Sequence, residues 1–322
     1  MPLRIDPPAP HVPIITPRDD QRCVVSAPGR LHRPRTISTE GVNVVGRCPF
    51  CEGHEADTPA ETWADRTTGH ANGAGWRVRV VPNLFPILEE NPNDPANSGR
   101  HEVIIERPDH AADWRGLSAD HLTAIFRSYR DRLRSMAEES SIAASVLFKN
   151  AGLLAGASQY HAHAQLIGLP IVPPMLTQMF RTPTPTNEIL SHRREHLVYM
   201  DDQIVIFCPP ASLFPLEVWI GPRVPERFFI ETQDHILSRL ARATGSLLDL
   251  LAEMIEPLDF HFFLHSPGPR DAHAAVDRWM LKITPRLENL GGLEWASNVF
   301  INPLPADWSA QQYRDRWSLF DG

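Results

Sequence analysis

No run of apolar residues in the 322-residue chain approaches the roughly 20 that a membrane-spanning helix needs, so no membrane partner is expected. There is no basic excess either. Lysine and arginine total 31 against 39 aspartates and glutamates, a formal net charge of -8. A duplex-binding protein usually carries a basic surplus or stripe, so nucleic acid is not expected as a partner. Residues 1–17 hold Pro2, Pro7, Pro8, Pro10, Pro13 and Pro17 and no apolar core segment, so no secretory signal is expected. Cysteine is scarce: Cys23, Cys48, Cys51 and Cys208. The compartment expected is the cytoplasm, where thiols stay reduced. A CxxC pair there reads as metal or redox chemistry before it reads as a staple. What is present is ordinary globular composition, 42% apolar and 22% charged, enough for a sizeable core in one large or two medium domains.

Periodicity is weak over residues 1–47, which read as an arm with one short strand at 21–26 (QRCVVS). Residues 48–75 are rich in Gly, Asp, Glu and Thr and read as loop. WRVRVV at 76–81 alternates as a half-buried strand does, and residues 91–99 read as a second loop. HEVIIE at 101–106 is a strand. Residues 118–138 are helical, with Leu122, Ile125, Phe126, Tyr129 and Leu133 on one face. ASVLFK at 144–149 and HAHAQLIGL at 161–169 are strands. Adding 115 to each number gives a second pass: Val103 lands on Val218, Leu122 on Leu237, Leu133 on Leu248, Phe148 on Phe263 and Leu166 on Leu281. One offset across strand, helix, strand and strand points to a duplicated unit. The copies differ chemically. His161, His163 and Gln165 of the first land on Val276, Arg278 and Met280, so a second active centre of the same kind is not expected.

The residue types suggest the chemistry. On a strand, alternate side chains share a face, which places His161, His163 and Gln165 together. The small residues from Asn150 to Ser158 let backbone approach a ligand, and turn N–H groups cradle phosphate oxygens. Taken alone, His-x-His reads as readily as two surface histidines on an edge strand. Cys48-Pro49-Phe50-Cys51 offers two thiolates, and a closed tetrahedral zinc site needs two further ligands. There is no second CxxC, so those ligands are His or carboxylate. His110 and His161 are the choices, with His54 and His101 as further candidates.

Cys48-Pro49-Phe50-Cys51, Asn83-Leu84-Phe85-Pro86, Pro108-Asp109-His110, Asn150 to Ser158 and His161-Ala162-His163-Ala164-Gln165 occur in that order. Together they resemble the galactose-1-phosphate uridylyltransferase family of the histidine-triad superfamily. SAPGRLHRP at 26–34 is similar to the family's basic N-terminal segment. Gly291-Gly292-Leu293-Glu294 with 298–303 resembles the plant ADP-glucose phosphorylase branch. The resemblance implies an α+β fold of two tandem histidine-triad-like units, each an antiparallel sheet with helix packing. Residues 1–47 would be the arm, 48–170 the unit with the zinc and the catalytic site, and 171–322 a degenerate second unit. It implies zinc on Cys48, Cys51, His110 and His161, and His163 as nucleophile. Gln165 would hold a phosphate oxygen. Asn150 and Ser158 would stand near the transferred phosphate, Arg30 and Arg33 would meet phosphates, and Asn83 and Phe85 would lie at the nucleoside.

The implied activity is exchange of a nucleoside monophosphate between sugar 1-phosphates through a covalent nucleotidyl-His163. Its partners would be a nucleoside diphosphate sugar and a sugar 1-phosphate or phosphate, and the resemblance also implies a homodimer. The uridylyltransferase branch has His-Pro-His-Gly-Gln, where this chain has alanine at both spacers. It has aspartate where this chain has Leu84, which favours the alternative of a phosphorylase or adenylyltransferase acting on an ADP-sugar or a dinucleoside polyphosphate. Some members hold a second metal on C-terminal histidines; DRWMLKIT at 277–284 has none, so that site is not expected. A non-catalytic zinc-stabilised nucleotide-binding protein and a hydrolase are the remaining readings.

Overall fold

The computed structural model describes residues 14–17, 23–26, 47–271 and 275–317. Within the arm, β1 (Ile14–Pro17) pairs antiparallel with β2 (Cys23–Ser26), so the arm has two strands where the sequence suggested one. The loop expected at 48–75 also holds a strand, β3 (Trp63–Arg66), too short and too polar to show a period. Next come β4 (Trp76–Pro82), β5 (Arg100–Ile105), α1 (Ala119–Glu138), β6 (Ala144–Ala151) and β7 (His163–Leu169). The short helices α2 (Pro174–Arg181) and α3 (Thr186–His192) lead to β8 (Leu197–Met200), β9 (Ile204–Phe207) and β10 (Val218–Pro222). The chain continues through α4 (Asp234–Met254), β11 (Phe260–His265), β12 (Met280–Pro285), α5 (Gly292–Ser297) and α6 (Ala306–Trp317).

β3 to β12 form one ten-stranded sheet in the order β3-β4-β5-β7-β6-β11-β12-β10-β9-β8, antiparallel at every pairing. The second half of that order mirrors the first, which is the α+β architecture of two tandem units. The seam is β6 against β11, where Phe148 stands opposite Phe263. These are the same two residues that the sequence offset superposes, so a pseudo-two-fold axis passes between them.

The two long helices, α1 and α4, cover one face, and α2 and α3 pack on the other face. Ser118 caps α1 by accepting the N–H of His121 at 3.2 Å, a contact worth about 1 kcal/mol. Leu122, Ile125, Phe126, Tyr129 and Met136 of α1 pack with Leu237, Leu240, Leu247 and Leu251 of α4 against Ala164, Leu166, Phe262 and Leu281 of the sheet. Alternation along β7 then turns His163 and Gln165 to the other face.

Register corrects one expectation. Phe148 pairs with Gln165, and its mate Phe263 pairs with Lys282. The second-unit counterparts of His161, His163 and Gln165 are therefore Arg278, Met280 and Lys282, not Val276, Arg278 and Met280. The connection between β11 and β12 is two residues longer than its counterpart, and a constant offset cannot register an insertion. An even slip keeps the same face, so the second copy still lacks the histidines.

Candidate active site

His163 opens β7. His161 lies in the turn before it rather than on the strand, because the 106–111 segment takes its backbone out of the ladder: Ala162 N–H donates to Ala111 O, and Glu106 N–H to Ala162 O. The two histidines thus do different things. The Nε2 of His161 lies 2.8 Å from Arg107 O. A carbonyl only accepts, so Nε2 carries the hydrogen and Nδ1 presents its lone pair. That Nδ1 stands 3.6 Å from Cys48 Sγ and 3.8 Å from Cys51 Sγ, and His110 Nδ1 is 3.5 Å from Cys51 Sγ.

All four donor atoms fall within 4.8 Å of one another. A tetrahedral ion with Sγ at about 2.3 Å and N at about 2.0–2.1 Å sets such donors roughly 3.6 Å apart, so the residues fit a metal. The carbonyl bond that fixes the His161 ring is the outer support such ligands usually have. Burial holds the His161 pKa down at about 4, so the ring is neutral as a ligand must be. Burial, then the neighbouring Cys48, pushes the Cys51 thiol up to about 12 in the absence of a cation. His54 is not in the group: its Nδ1 contacts Cys48 O at 2.6 Å.

His163 is buried, and its Nδ1 lies 2.7 Å from the carbonyl oxygen of His161. Nδ1 must therefore donate, which leaves the nucleophilic lone pair on Nε2. The Phe50 ring packs edge-on to His163 at 5.3 Å. His163 and Gln165 line a cavity of about 130 Å³ with Asn83, Phe85 and Ser158. Asn83 Oδ1 accepts the Phe85 N–H at 2.8 Å, a turn that fixes this corner, and Leu84 between them is exposed. Continuing the β6–β7 register sets Asn150 opposite His163.

His101, a metal candidate in the sequence, instead holds Gln165. Ile87 N–H donates to its Nδ1 at 3.2 Å, and its Nε2 lies 3.0 Å from Gln165 Oε1 and 3.1 Å from Asn83 Nδ2. His101 stands opposite Ile167 on the strand beside Gln165, on the same face, a pairing that exists only once β5 lies beside β7.

The small-residue loop is held from the second unit. Asp259 accepts the Leu154 N–H at 2.6 Å. Gly152 sits at φ +84°, packed against that carboxylate. Under the site, the fully buried Glu106 accepts from Trp114 Nε1 at 2.7 Å and from Tyr129 and Lys149, tying the end of β5 to α1 and β6. In the second unit's equivalent place Lys282 lies over the Trp219 ring at 3.8 Å, and both line a cavity of about 360 Å³ with Arg278 and Met280. Of the sequence-derived site residues, Arg30 and Arg33 lie outside the described residues.

A ten-stranded sheet of two mirrored units, with a buried His-x-His beside a Cys2His2 group, has the α+β fold of two tandem histidine-triad-like units. Sequence and structure comparisons agree. Residues 80–172 match the family model described as the N-terminal domain of a domain of unknown function, DUF4931. ADP-glucose phosphorylase of Arabidopsis thaliana is 27% identical over 308 residues, 88% of this chain and 87% of that protein. Galactose-1-phosphate uridylyltransferase of Thermotoga maritima is 22% identical over 93% of this chain and 96% of that protein. The crystal structure of an ADP-glucose phosphorylase from Arabidopsis thaliana with bound ADP-glucose superposes with a TM-score of 0.73 at 26% identity, covering 94% of this chain and 99% of that one. The chain is thus similar along most of its length to ADP-glucose phosphorylase and to a galactose-1-phosphate uridylyltransferase.

Proposed function

We propose that this protein is a nucleotidyltransferase that carries a nucleoside monophosphate on His163 Nε2. The observation that carries the reading is the Nδ1 contact to the His161 carbonyl, which puts the ring's lone pair on Nε2, in a residue that lines one cavity with Gln165 and Ser158. Nε2 attacks the α-phosphorus of a nucleoside diphosphate sugar. An N–P bond forms, the bond from that phosphorus to the bridging oxygen breaks, and the sugar 1-phosphate leaves with the electron pair. A phosphate or a second sugar 1-phosphate then attacks the same phosphorus and returns the lone pair to Nε2. Two steps need one nucleophile and one phosphate site used twice. The transferred group's charge is met by positioned donors, for which Gln165, Asn150 and Ser158 are the candidates. Arg30 and Arg33 keep the role the motif implies.

The metal on Cys48, Cys51, His110 and His161 is zinc, by its thiolate–imidazole donor set. It holds the 48–51 loop against the segment bearing His163 and takes no part in the bond changes. The first unit, 48–170, thus carries the chemistry and 171–322 supports it. No helix among the described residues is long and apolar enough to cross a membrane.

The adenine reading is favoured over the uridine one. Leu84 is 63% exposed at the place where uridylyltransferases carry an acid, and the relative matched at 27% identity is an ADP-glucose phosphorylase. Incubation with ADP-glucose and no acceptor, followed by mass spectrometry, should find adenylate on the peptide containing His163, and none in His163→Ala. Adduct-free wild-type protein that still consumes ADP-glucose would reject the covalent step.

A further inference from the structure

The second unit has lost the histidine pair, yet it stays in one sheet with the site. Its strand next to the seam, β11, presents His261 directly opposite Asn150 of β6. The His261 Nδ1 and Asn150 Oδ1 are 3.1 Å apart. Since Asn150 is in turn opposite His163, the three residues form one row across β7, β6 and β11 on the site face. The His261 ring is also stacked on Phe263 at 5.5 Å, which limits its rotation.

An asparagine amide can face a phosphate with its oxygen or its NH2. Only the NH2 is useful, because phosphate oxygens only accept. In the arrangement present, with Oδ1 facing the ring, His261 Nδ1 is the donor, and the NH2 is the amide group left for a phosphate. Gln165 has a matching contact: His101 Nε2 lies 3.0 Å from its Oε1. Two amides, on facing strands, thus each have the oxygen beside an imidazole of a neighbouring strand. One imidazole comes from the first unit and the other from the second.

We infer that His261 is a positioning residue for the transfer at His163, orienting the Asn150 amide as a donor to the transferred phosphoryl group. This rests on the function proposed above. The contribution is realised in the transition state, where the phosphoryl oxygens gather charge, so it belongs to kcat more than to KM.

The test is a double-mutant cycle on the steady-state rate with ADP-glucose and phosphate. Asn150→Ala should lower kcat by about 100-fold, the effect of losing one such donor. His261→Ala should lower it by about 10-fold with KM within about threefold, and His261→Gln, which keeps a side-chain donor, should recover most of it. In the Asn150→Ala background, His261→Ala should add nothing. A merely structural His261 would instead give additive losses, a lowered melting temperature and no rescue by glutamine, and any of these overturns the inference. If the wild-type protein shows no turnover, the functional reading falls. The orienting contact is then read from AMP affinity in the same four proteins, with the same non-additivity required.

Discussion

Gly152 and Asp259 are in contact across the two units: a Cβ built on Gly152 would lie 1.7 Å from the Asp259 carboxylate oxygen. No rotamer of a new residue relieves this, because the Cβ itself collides and φ is +84°. The carboxylate is engaged with the Leu154 N–H, so retreat would release the loop leading to Ser158.

Gly152→Ala should therefore destabilise the fold by about 2 kcal/mol or more and lower nucleotidyl transfer together with it. Chemical denaturation and initial rates on the same sample check this. An alanine variant of native stability and rate would show that the loop is not clamped from the second unit.

Metal removal should act on the fold before it acts on chemistry. Cys48 is buried, and the four donors converge from the 48–51 loop, the 107–111 segment and the turn before β7. Cys48→Ser, or stripping with a strong chelator, should lower the melting temperature by about 5 °C or more. Elemental analysis of the purified protein should find about one zinc per chain, as a single closed site holds. Metal-free protein with unchanged melting would refute a structural ion.

Acid should weaken the protein partly through His261. Burial first, then Arg286, lowers its pKa to about 4 from an ordinary 6.5. Above pH 6.5 the ring is neutral in both folded and unfolded chains, and this stability is fully present. Between about 6.5 and 4 the unfolded chain takes up a proton that the folded chain refuses, so stability falls with pH across that window. His261→Gln lacks the group. Its urea midpoint should drop less between pH 7.5 and pH 4.5 than that of the wild type, and equal drops would show that the imidazole is not held neutral.

Much of this was legible in the sequence, for physical reasons. Long amphipathic elements announce themselves, as in Leu122 to Met136 of α1. Five motifs in order sufficed to name the four residues that the fold gathers within 4.8 Å in a group that could hold a metal. Short polar strands were not legible: Trp63–Arg66 has four half-buried residues and no period to detect. The departure of His161 from the strand was hidden because it depends on Arg107 and Ala111, far away in sequence. His101 stayed a further metal candidate because composition cannot separate a ligand imidazole from one that contacts Gln165. His261 and Asp259 carry no motif, and their relation to Asn150 and Gly152 exists only once β11 lies beside β6.

The most direct test of the central claim is isotope exchange at His163. ADP-glucose is incubated with labelled glucose 1-phosphate and no other acceptor, with UDP-glucose in a parallel tube. A nucleotidyl-histidine requires label to appear in ADP-glucose with the wild-type protein and to vanish in His163→Ala, a loss of about 1,000-fold or more. Label appearing at the wild-type rate in His163→Ala, or in neither nucleotide sugar with the wild type, would contradict it.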